Sequence, residues 1–255
     1  MKISFAPAAG LVVLAICSST LVDGQTDAEA RAAEASQALV SGHVAWTTKL
    51  SSPGAAIRAK EVERQGSVVR YNLYVSGLPA DKLYTALSWP VGQAKPLSMM
   101  EGLSLGKHGI VICAGRTPEQ CGDPSQKDDP VDFTFNPAKG EPYRLALTAG
   151  DYRAAIVIVP DPISATDKGC TLSVERLLPH FELAYFAGSG FSPNSDVSFD
   201  SQSYDEKHPV KTKADSGGNI QFALMPFVSG HAKGTTTIKG VGMACSPSIN
   251  FEWGS

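Results

Sequence analysis

From Val44 onward, apolar and polar residues alternate with a period of two in several short stretches. The clearest of them are residues 71–75, 131–135, 143–147, 170–175 and 249–253. Alternation of this kind places one face of a strand on a core and the other face in water, as antiparallel sheets do. Because no long helical period separates the stretches, the pattern predicts an all-β fold and argues against a parallel sheet of βαβ units.

The sequence Pro160-Asp161-Pro162 interrupts this strand pattern, because a proline cannot donate a hydrogen bond to a β-ladder. The next alternating stretch restarts at Cys170. The break therefore predicts two antiparallel β-sandwich domains, residues 43–160 and 168–254, each close to the usual size of a sandwich.

The N-terminal region predicts an export signal. Lys2 precedes an apolar run of ten residues from Ala8 to Cys17. A bilayer span needs about 20 residues, whereas a run of this length suits the hydrophobic core of a signal peptide. Val22 and Gly24 occupy the −3 and −1 positions of a cleavage site, so we expect residues 1–24 to be removed.

Leu14-Ala15-Ile16-Cys17 offers an alternative route of processing, because it resembles a bacterial lipobox. In that reading the exported protein is lipid-anchored through Cys17. Ile16 departs from the pattern, which has a small residue immediately before the cysteine. Soluble export after cleavage at Gly24 is therefore the preferred prediction.

Residues 25–42 are predicted to form a short helix or a flexible tether ahead of the strands. Thr26-Asp27-Ala28-Glu29 has the form of a helix capping box, and Ala-rich sequence follows it. Only Leu39 and Val40 are strongly apolar, so such a helix has little surface to bury.

Four cysteines remain after cleavage: Cys113, Cys121, Cys170 and Cys245. An even number in an exported chain indicates disulfides, of which three pairings are possible. Metal binding is the poorer interpretation, because no Cys-x-x-Cys pair is present and no histidine lies at ligand spacing. We expect the pairs Cys113–Cys121 and Cys170–Cys245, the second joining the first and last strands of the second domain.

The second domain carries a recognisable pattern, Gly188-Ser-Gly-Phe-Ser-Pro-Asn-Ser-Asp-Val197 followed by Ala214-Asp-Ser-Gly-Gly218. It resembles the G-x-G-F-x-P-x-S-x-V … D-x-x-G signature of bacterial Ig-like domains of the extracytoplasmic kind. The resemblance covers about 90 residues, a third of the chain, and implies an Ig-like sandwich. It also implies a binding, spacing or surface module, although a fold of this kind does not settle function.

Charge and motifs exclude several function classes. With 22 Lys and Arg against 25 Asp and Glu, the chain lacks the basic footprint of nucleic-acid binding. None of the five histidines lies within four residues of another, and no zinc-protease, nucleophile-elbow or phosphate-loop motif occurs. The longest apolar run outside the N-terminus is Ala154–Val159, which is too short for a transmembrane helix. We therefore predict no catalytic residues, no cofactor and no membrane span.

Two groups of residues could nevertheless bind ligands. Four acidic residues lie close together in the sequence and are weak candidates for calcium: Asp123, Asp128, Asp129 and Asp132. Lys127 and the absence of EF-hand spacing favour an ordinary solvated loop. Three tryptophans could stack on sugars; core packing is the better explanation for Trp89 and Trp253, and Trp46 is left open.

The function predicted from the sequence is a non-catalytic secreted or cell-envelope module that contacts a protein, a glycan or the envelope. A carbohydrate- or calcium-dependent binding protein is the alternative, which exposed aromatic residues at one sandwich end would favour. A hydrolase is the third and least favoured hypothesis. The expected contact surfaces are the end loops at 123–130 and 203–209, which are polar and rich in turn residues.

Overall fold

The computed structural model describes residues 14–15, 26–113, 129–178, 180 and 182–254. Their fold is all-β, as predicted, apart from one α-helix, α1 (Thr26–Thr48), and a 3-10 turn at Lys107–Gly109. A two-residue strand, β1 (Leu14–Ala15), precedes the helix. The chain divides into two compact units. One is Ala38–Pro162, which we call the N-terminal sandwich; the other joins Ile163–Ser255, which we call the C-terminal sandwich, with the described residues up to Gln37.

The N-terminal sandwich has eight described strands: β2 (Ala56–Gln65), β3 (Val68–Ser76), β4 (Tyr84–Trp89), β5 (Leu97–Leu105), β6 (Val111–Cys113), β7 (Phe133–Phe135), β8 (Tyr143–Ala149) and β9 (Tyr152–Ile158). They form two antiparallel sheets with the orders β2-β3-β7 and β6-β5-β4-β8-β9. The core lies between the sheets, where Leu73 of β3 and Leu147 of β8 are buried in the same cluster. Alternate residues of these strands form that cluster, and the period-two pattern predicts this alternation of buried and exposed positions.

The C-terminal sandwich is built from β1 and eight further strands: β10 (Ile163–Asp167), β11 (Cys170–Arg176), β12 (Ala184–Ser189), β13 (Asp196–Ser203), β14 (Glu206–Lys213), β15 (Ile220–Leu224), β16 (Lys233–Val241) and β17 (Ser248–Gly254). Its sheets have the orders β1-β15-β12-β11-β10 and β14-β13-β16-β17. All neighbours pair antiparallel except β1, which is parallel to β15. Phe186 and Phe222 stack at 4.6 Å in the core, and Phe199 from the other sheet lies 5.2 Å from Phe222.

The predicted start of the second domain at residue 168 is too late. Ile163–Asp167 forms β10, which pairs antiparallel with β11 in a hairpin. Only Ile163 is buried in this strand, because β10 lies at the edge of its sheet. A sheet edge leaves little apolar alternation in the sequence, so the strand was not visible in the pattern.

The two halves of the Gly-Ser-Gly-Phe … Asp-Ser-Gly-Gly pattern are hydrogen-bonded to each other. The Phe191 amide donates to the Gly218 carbonyl at 3.1 Å, and the Asn194 amide donates to the Asp215 carbonyl at 3.1 Å. The Asp215 carboxylate accepts hydrogen bonds from the backbone and side chain of Asn219, which lower the pKa of this carboxyl below its usual range. The pattern therefore joins two turns at one end of the sandwich, with Phe191 buried beneath them.

Helix α1 continues to Thr48, beyond the predicted end at residue 42. The residues after Val44 are helical, so the prediction that strands begin there is wrong; the first strand of the sandwich begins at Ala56. Val40, His43 and Trp46 recur every three residues and are all buried. Because most helical stability in proteins comes from packing of one face, this buried stripe accounts for the extra turns.

The face of β8 that the sequence pattern assigned to water is buried as well. Arg144 is fully buried and lies directly opposite Trp89 of the neighbouring strand. Its guanidinium carbon is 4.2 Å from the centroid of the Trp89 ring, and the Trp46 ring of α1 lies 5.7 Å from the same indole. The helix thus covers this face, and a desolvated cation–π contact of about 2 kcal/mol forms beneath it.

Gly42 is the point of closest approach between α1 and the sheet. A Cβ atom at this position would lie 2.5 Å from Cη2 of Trp89. That ring is held in place, because its indole N–H donates to the Gln93 carbonyl at 2.7 Å and its face meets Arg144. The glycine is therefore required by helix–sheet packing, although glycine is a poor residue for a helix interior.

We expect Gly42→Ala to lower the free energy of unfolding of the N-terminal sandwich by about 1 kcal/mol. Overpacking costs roughly 1–3 kcal/mol, which outweighs the roughly 0.5–1 kcal/mol that alanine gains in a helix. Ser41→Ala, at the exposed neighbouring position, is the matched control and should leave stability unchanged or slightly higher. Urea denaturation followed by tryptophan fluorescence measures both variants, and a stabilising Gly42→Ala would contradict the packing described.

Candidate binding site

One end of the C-terminal sandwich carries an exposed aromatic cluster centred on Tyr204. This residue lies in the two-residue connection between β13 and β14, where Ser203 pairs with Glu206. Its backbone has φ 52°, in the left-handed region that a bulky residue adopts only at a cost of about 1–2 kcal/mol. The side chain is 46% exposed even so. An exposed ring held on a strained backbone is a reason to look for function at this position.

Three contacts hold the Tyr204 side chain in place. Its ring stacks on the His231 imidazole at 3.8 Å with an interplanar angle of 22°. Its hydroxyl donates to the Lys233 carbonyl at 2.6 Å. The Trp253 ring meets it edge-on at 6.3 Å. The ring orientation is thus fixed before any ligand arrives.

Gly234 lets the two larger rings come together. A Cβ atom here would lie 2.6 Å from Trp253 and 2.7 Å from Tyr204, so only glycine leaves room for both. Trp253 itself is buried, and its indole N–H donates to the Ser203 hydroxyl at 3.1 Å. The buried tryptophan therefore supports the exposed tyrosine, and the histidine stacks on that tyrosine. We call these residues (Tyr204, His231, Lys233, Gly234 and Trp253) the Tyr204 site.

A shallow depression of about 720 Å³ adjoins the Tyr204 site. Lys233, Glu252 and Arg176 bring charged groups to its lining, next to the aromatic surface. Arg176 is buried and donates to the Glu252 carbonyl at 3.0 Å. A surface that combines a flat aromatic face with hydrogen-bonding groups of both signs is suited to a ligand that is itself part apolar and part polar.

The predicted contact segment 203–209 is correctly placed at an end of the sandwich, but it is not a loop. Ser203 ends β13, Glu206 begins β14, and only Tyr204 and Asp205 connect them. The exposed residues of this segment occupy alternate positions of β14, which is an edge strand. The segment is therefore polar throughout, and its sequence resembles that of a loop. The other predicted segment, 123–130, lies outside the described residues except for Asp129 and Pro130.

Cys170 and Cys245 form the predicted disulfide, with Cα atoms 6.0 Å apart. It lies where β11 begins and β17 is about to begin, at the end of the sandwich opposite Tyr204. Cys113 is also disulfide-bonded. Its predicted partner, Cys121, lies outside the described residues.

Of the four candidate calcium ligands, Asp123 and Asp128 lie outside the described residues. Asp132 is engaged elsewhere, because its carboxylate accepts hydrogen bonds from Asn72 at 2.7 Å and Arg70 at 3.2 Å. Asp129 is exposed. Among the residues that the structure describes, no group of three or more His, Cys, Asp or Glu side chains is placed to hold a metal ion.

The tryptophans form no open stacking surface. Trp253 is buried, in accordance with the sequence prediction. Trp46, whose role the sequence did not decide, is also buried, and its indole N–H donates to the Leu145 carbonyl at 3.0 Å. Trp89 is half-buried between α1 and Arg144.

Tyr204 and His231, which are among the exposed aromatic residues at sandwich ends, were not singled out from the sequence. They are 27 positions apart and meet because β13 pairs with β16. The available signal was a lone tyrosine in a polar turn where glycine or asparagine is usual.

No helix in the described part of the chain has the length and apolar character needed to cross a membrane. No protein-family model matches the chain, and no curated protein matches it either.

Proposed function

We propose that this chain is a non-catalytic module of the cell envelope or extracellular space, and that it binds a glycan at the Tyr204 site. The single observation that carries the proposal is Tyr204 itself, an exposed ring fixed by three contacts on a left-handed backbone. Export is supported by the predicted signal peptide and by the Cys170–Cys245 disulfide, since disulfides persist mainly outside the reducing cytosol.

A glycan is the ligand class that fits the composition of the site. A sugar ring has one apolar face of C–H groups, which suits the exposed Tyr204 ring in the lining of the depression. Its hydroxyl groups both donate and accept, so Lys233, Glu252 and backbone carbonyls at the rim can each pair with them. Because the aromatic surface is fixed in advance, little conformational entropy is lost when the ligand binds.

We expect Tyr204→Asn to weaken glycan binding at least tenfold while the protein stays folded. Asparagine tolerates the left-handed backbone, so relief of about 1 kcal/mol of strain offsets about half of the loss of stacking and of one hydrogen bond, each about 1 kcal/mol. Tyr152→Asn is the matched control, because Tyr152 is exposed to a similar extent in the other sandwich.

The measurement is a glycan and envelope-polysaccharide array probed with the mature protein, residues 25–255, followed by titration of each hit. Tyr204→Asn should weaken binding at least tenfold with a free energy of unfolding within about 1 kcal/mol of wild type. Binding that survives Tyr204→Asn but is lost in Tyr152→Asn would contradict the proposal and place the glycan site near Tyr152. Turnover of a substrate that disappears when His231 is replaced would establish a hydrolase instead.

A further inference from the structure

Strand β15 is the second strand of its sheet, and the two-residue strand β1 lies at its outer edge. On one side it pairs with β12 along its whole length. On the other side the two residues of β1 pair with it in parallel, Leu14 opposite Ala223 and Ala15 opposite Leu224. The edge therefore accepts a strand in a defined position and direction.

Both processing routes predicted from the sequence remove this strand. Cleavage before Cys17 and cleavage after Gly24 each separate Leu14–Ala15 from the folded protein. Export, which is part of the proposed function, would thus leave Ala223 and Leu224 without their neighbour. An apolar edge of this kind is a template for another strand.

The composition of β15 contrasts with that of the other strand at this side of the sandwich. The sequence of β15, Ile-Gln-Phe-Ala-Leu, contains no charge and no proline. Edge strand β14 carries exposed residues that discourage pairing: Lys207, Pro209, Lys211 and Lys213. Natural proteins protect sheet edges with lysine and proline residues, as β14 does. Because β15 has neither, we expect another strand to pair with its edge.

The free part of the edge is confined to its C-terminal half. Near the start of the strand, the Thr212 hydroxyl of β14 donates to the Gln221 carbonyl at 3.3 Å. Beyond Leu224 the two segments diverge around a cavity of about 210 Å³. We call it the β15 groove; its lining combines apolar residues (Val210, Leu224, Phe227 and Val228) with polar ones (Ser201, Ser203, Glu206 and His208).

Phe227 marks the mouth of this groove, where 49% of its side chain is exposed. A strand paired to Ala223 and Leu224 would direct alternate side chains toward the cavity. Recognition by strand addition works in this way, since backbone pairing supplies affinity and side-chain pockets supply specificity.

We propose that Ala223–Leu224 and the β15 groove form an acceptor site for an extended apolar segment of a partner protein, bound parallel to β15. The parallel direction favours a foreign segment over a second copy of this chain. Two copies related by a two-fold axis present the same edge to each other, which pairs the two β15 strands antiparallel.

The probe is a synthetic peptide of residues 8–17 with Cys17→Ser, titrated against the mature protein (residues 25–255). We expect saturable binding and slower hydrogen exchange at the amide of Ala223, which faces the same outer side of β15 as Gln221, whereas Leu224 faces β12. The full chain should bind the peptide at least tenfold more weakly, because its own Leu14–Ala15 occupies the edge. A peptide with proline at both of these positions should not bind, because it lacks the donors for pairing.

Phe227→Lys should weaken peptide binding at least tenfold, whereas Val241→Lys, at another exposed apolar position, is the matched control and should not. Unchanged exchange at the Ala223 amide in the presence of peptide would overturn the proposal. So would a dimer of the mature protein that protects this amide without peptide, or an exported protein that retains Leu14–Ala15. Tyr204→Asn should bind the peptide normally, so failure of the glycan proposal and failure of this one are separately detectable.

Discussion

Replacing both Cys170 and Cys245 with alanine is expected to lower the free energy of unfolding of the C-terminal sandwich by about 4.5 kcal/mol. The disulfide joins residues 75 positions apart, and in the chain-entropy model a loop of this length strongly restricts the unfolded chain. Both cysteines are buried, so alanine introduces no polar group into the core. A loss of this size is a large part of the 5–15 kcal/mol that holds a typical domain together.

Hydrogen exchange across a urea series, read by mass spectrometry, follows each sandwich separately in the same sample. Protection of β11, β12 and β17 should fall in the double variant, while the strands of the N-terminal sandwich serve as the internal control. A loss below 1 kcal/mol would contradict the expected constraint on the unfolded chain. Non-reducing peptide mapping of the wild type provides the second check, and a Cys121–Cys170 linkage there would contradict the pairing.

The all-β fold was predictable because burial leaves a local signature in each strand. Leu145 and Leu147 face the core at alternate positions of β8, and the sequence shows this directly. Arg144, which precedes them on the opposite face of β8, was assigned to water for the same reason, and the assignment fails because α1 covers that face. The alternation along a strand shows which of its side chains are polar. It does not show which distant part of the chain packs over the polar face.

The end of α1 could not be predicted for a related reason. Gly42 follows the apolar pair Leu39–Val40 and has the position of a helix stop. In the structure it is an interior residue whose missing side chain makes room for Trp89, 47 positions later. Tertiary packing thus reverses the meaning of this glycine, and no local feature of the sequence distinguishes the two cases.

The candidate sites depend even more on long-range pairing. The sequence located segment 203–209 at a sandwich end, yet Tyr204 becomes part of a site only through His231 and Trp253. Similarly, Ile220–Leu224 is recognisable as a strand, but its place at a sheet edge follows from which strands pair. Strand order is a property of the whole domain, so sites at edges and ends were beyond the reach of the period-two pattern.

Trp46→Ala is expected to lower the free energy of unfolding of the N-terminal sandwich by roughly 3–5 kcal/mol. The side chain is buried between α1 and the sheet, where its ring meets Trp89 at 5.7 Å and its indole N–H reaches the Leu145 carbonyl. Alanine would leave a cavity over Arg144 and Trp89, admitting water to a guanidinium that is fully buried in the wild type.

Trp46→Phe separates the two contributions, because it keeps an aromatic ring in the site and removes the hydrogen bond. Its expected cost is smaller, about 1–2 kcal/mol. Urea denaturation followed by far-UV circular dichroism measures both variants and shows whether α1 melts together with the strands. If the helix were only a tether, as the sequence alone allowed, Trp46→Ala would cost less than about 1 kcal/mol, as a surface substitution does. A large loss with simultaneous melting of helix and strands would instead establish α1 as part of the N-terminal sandwich.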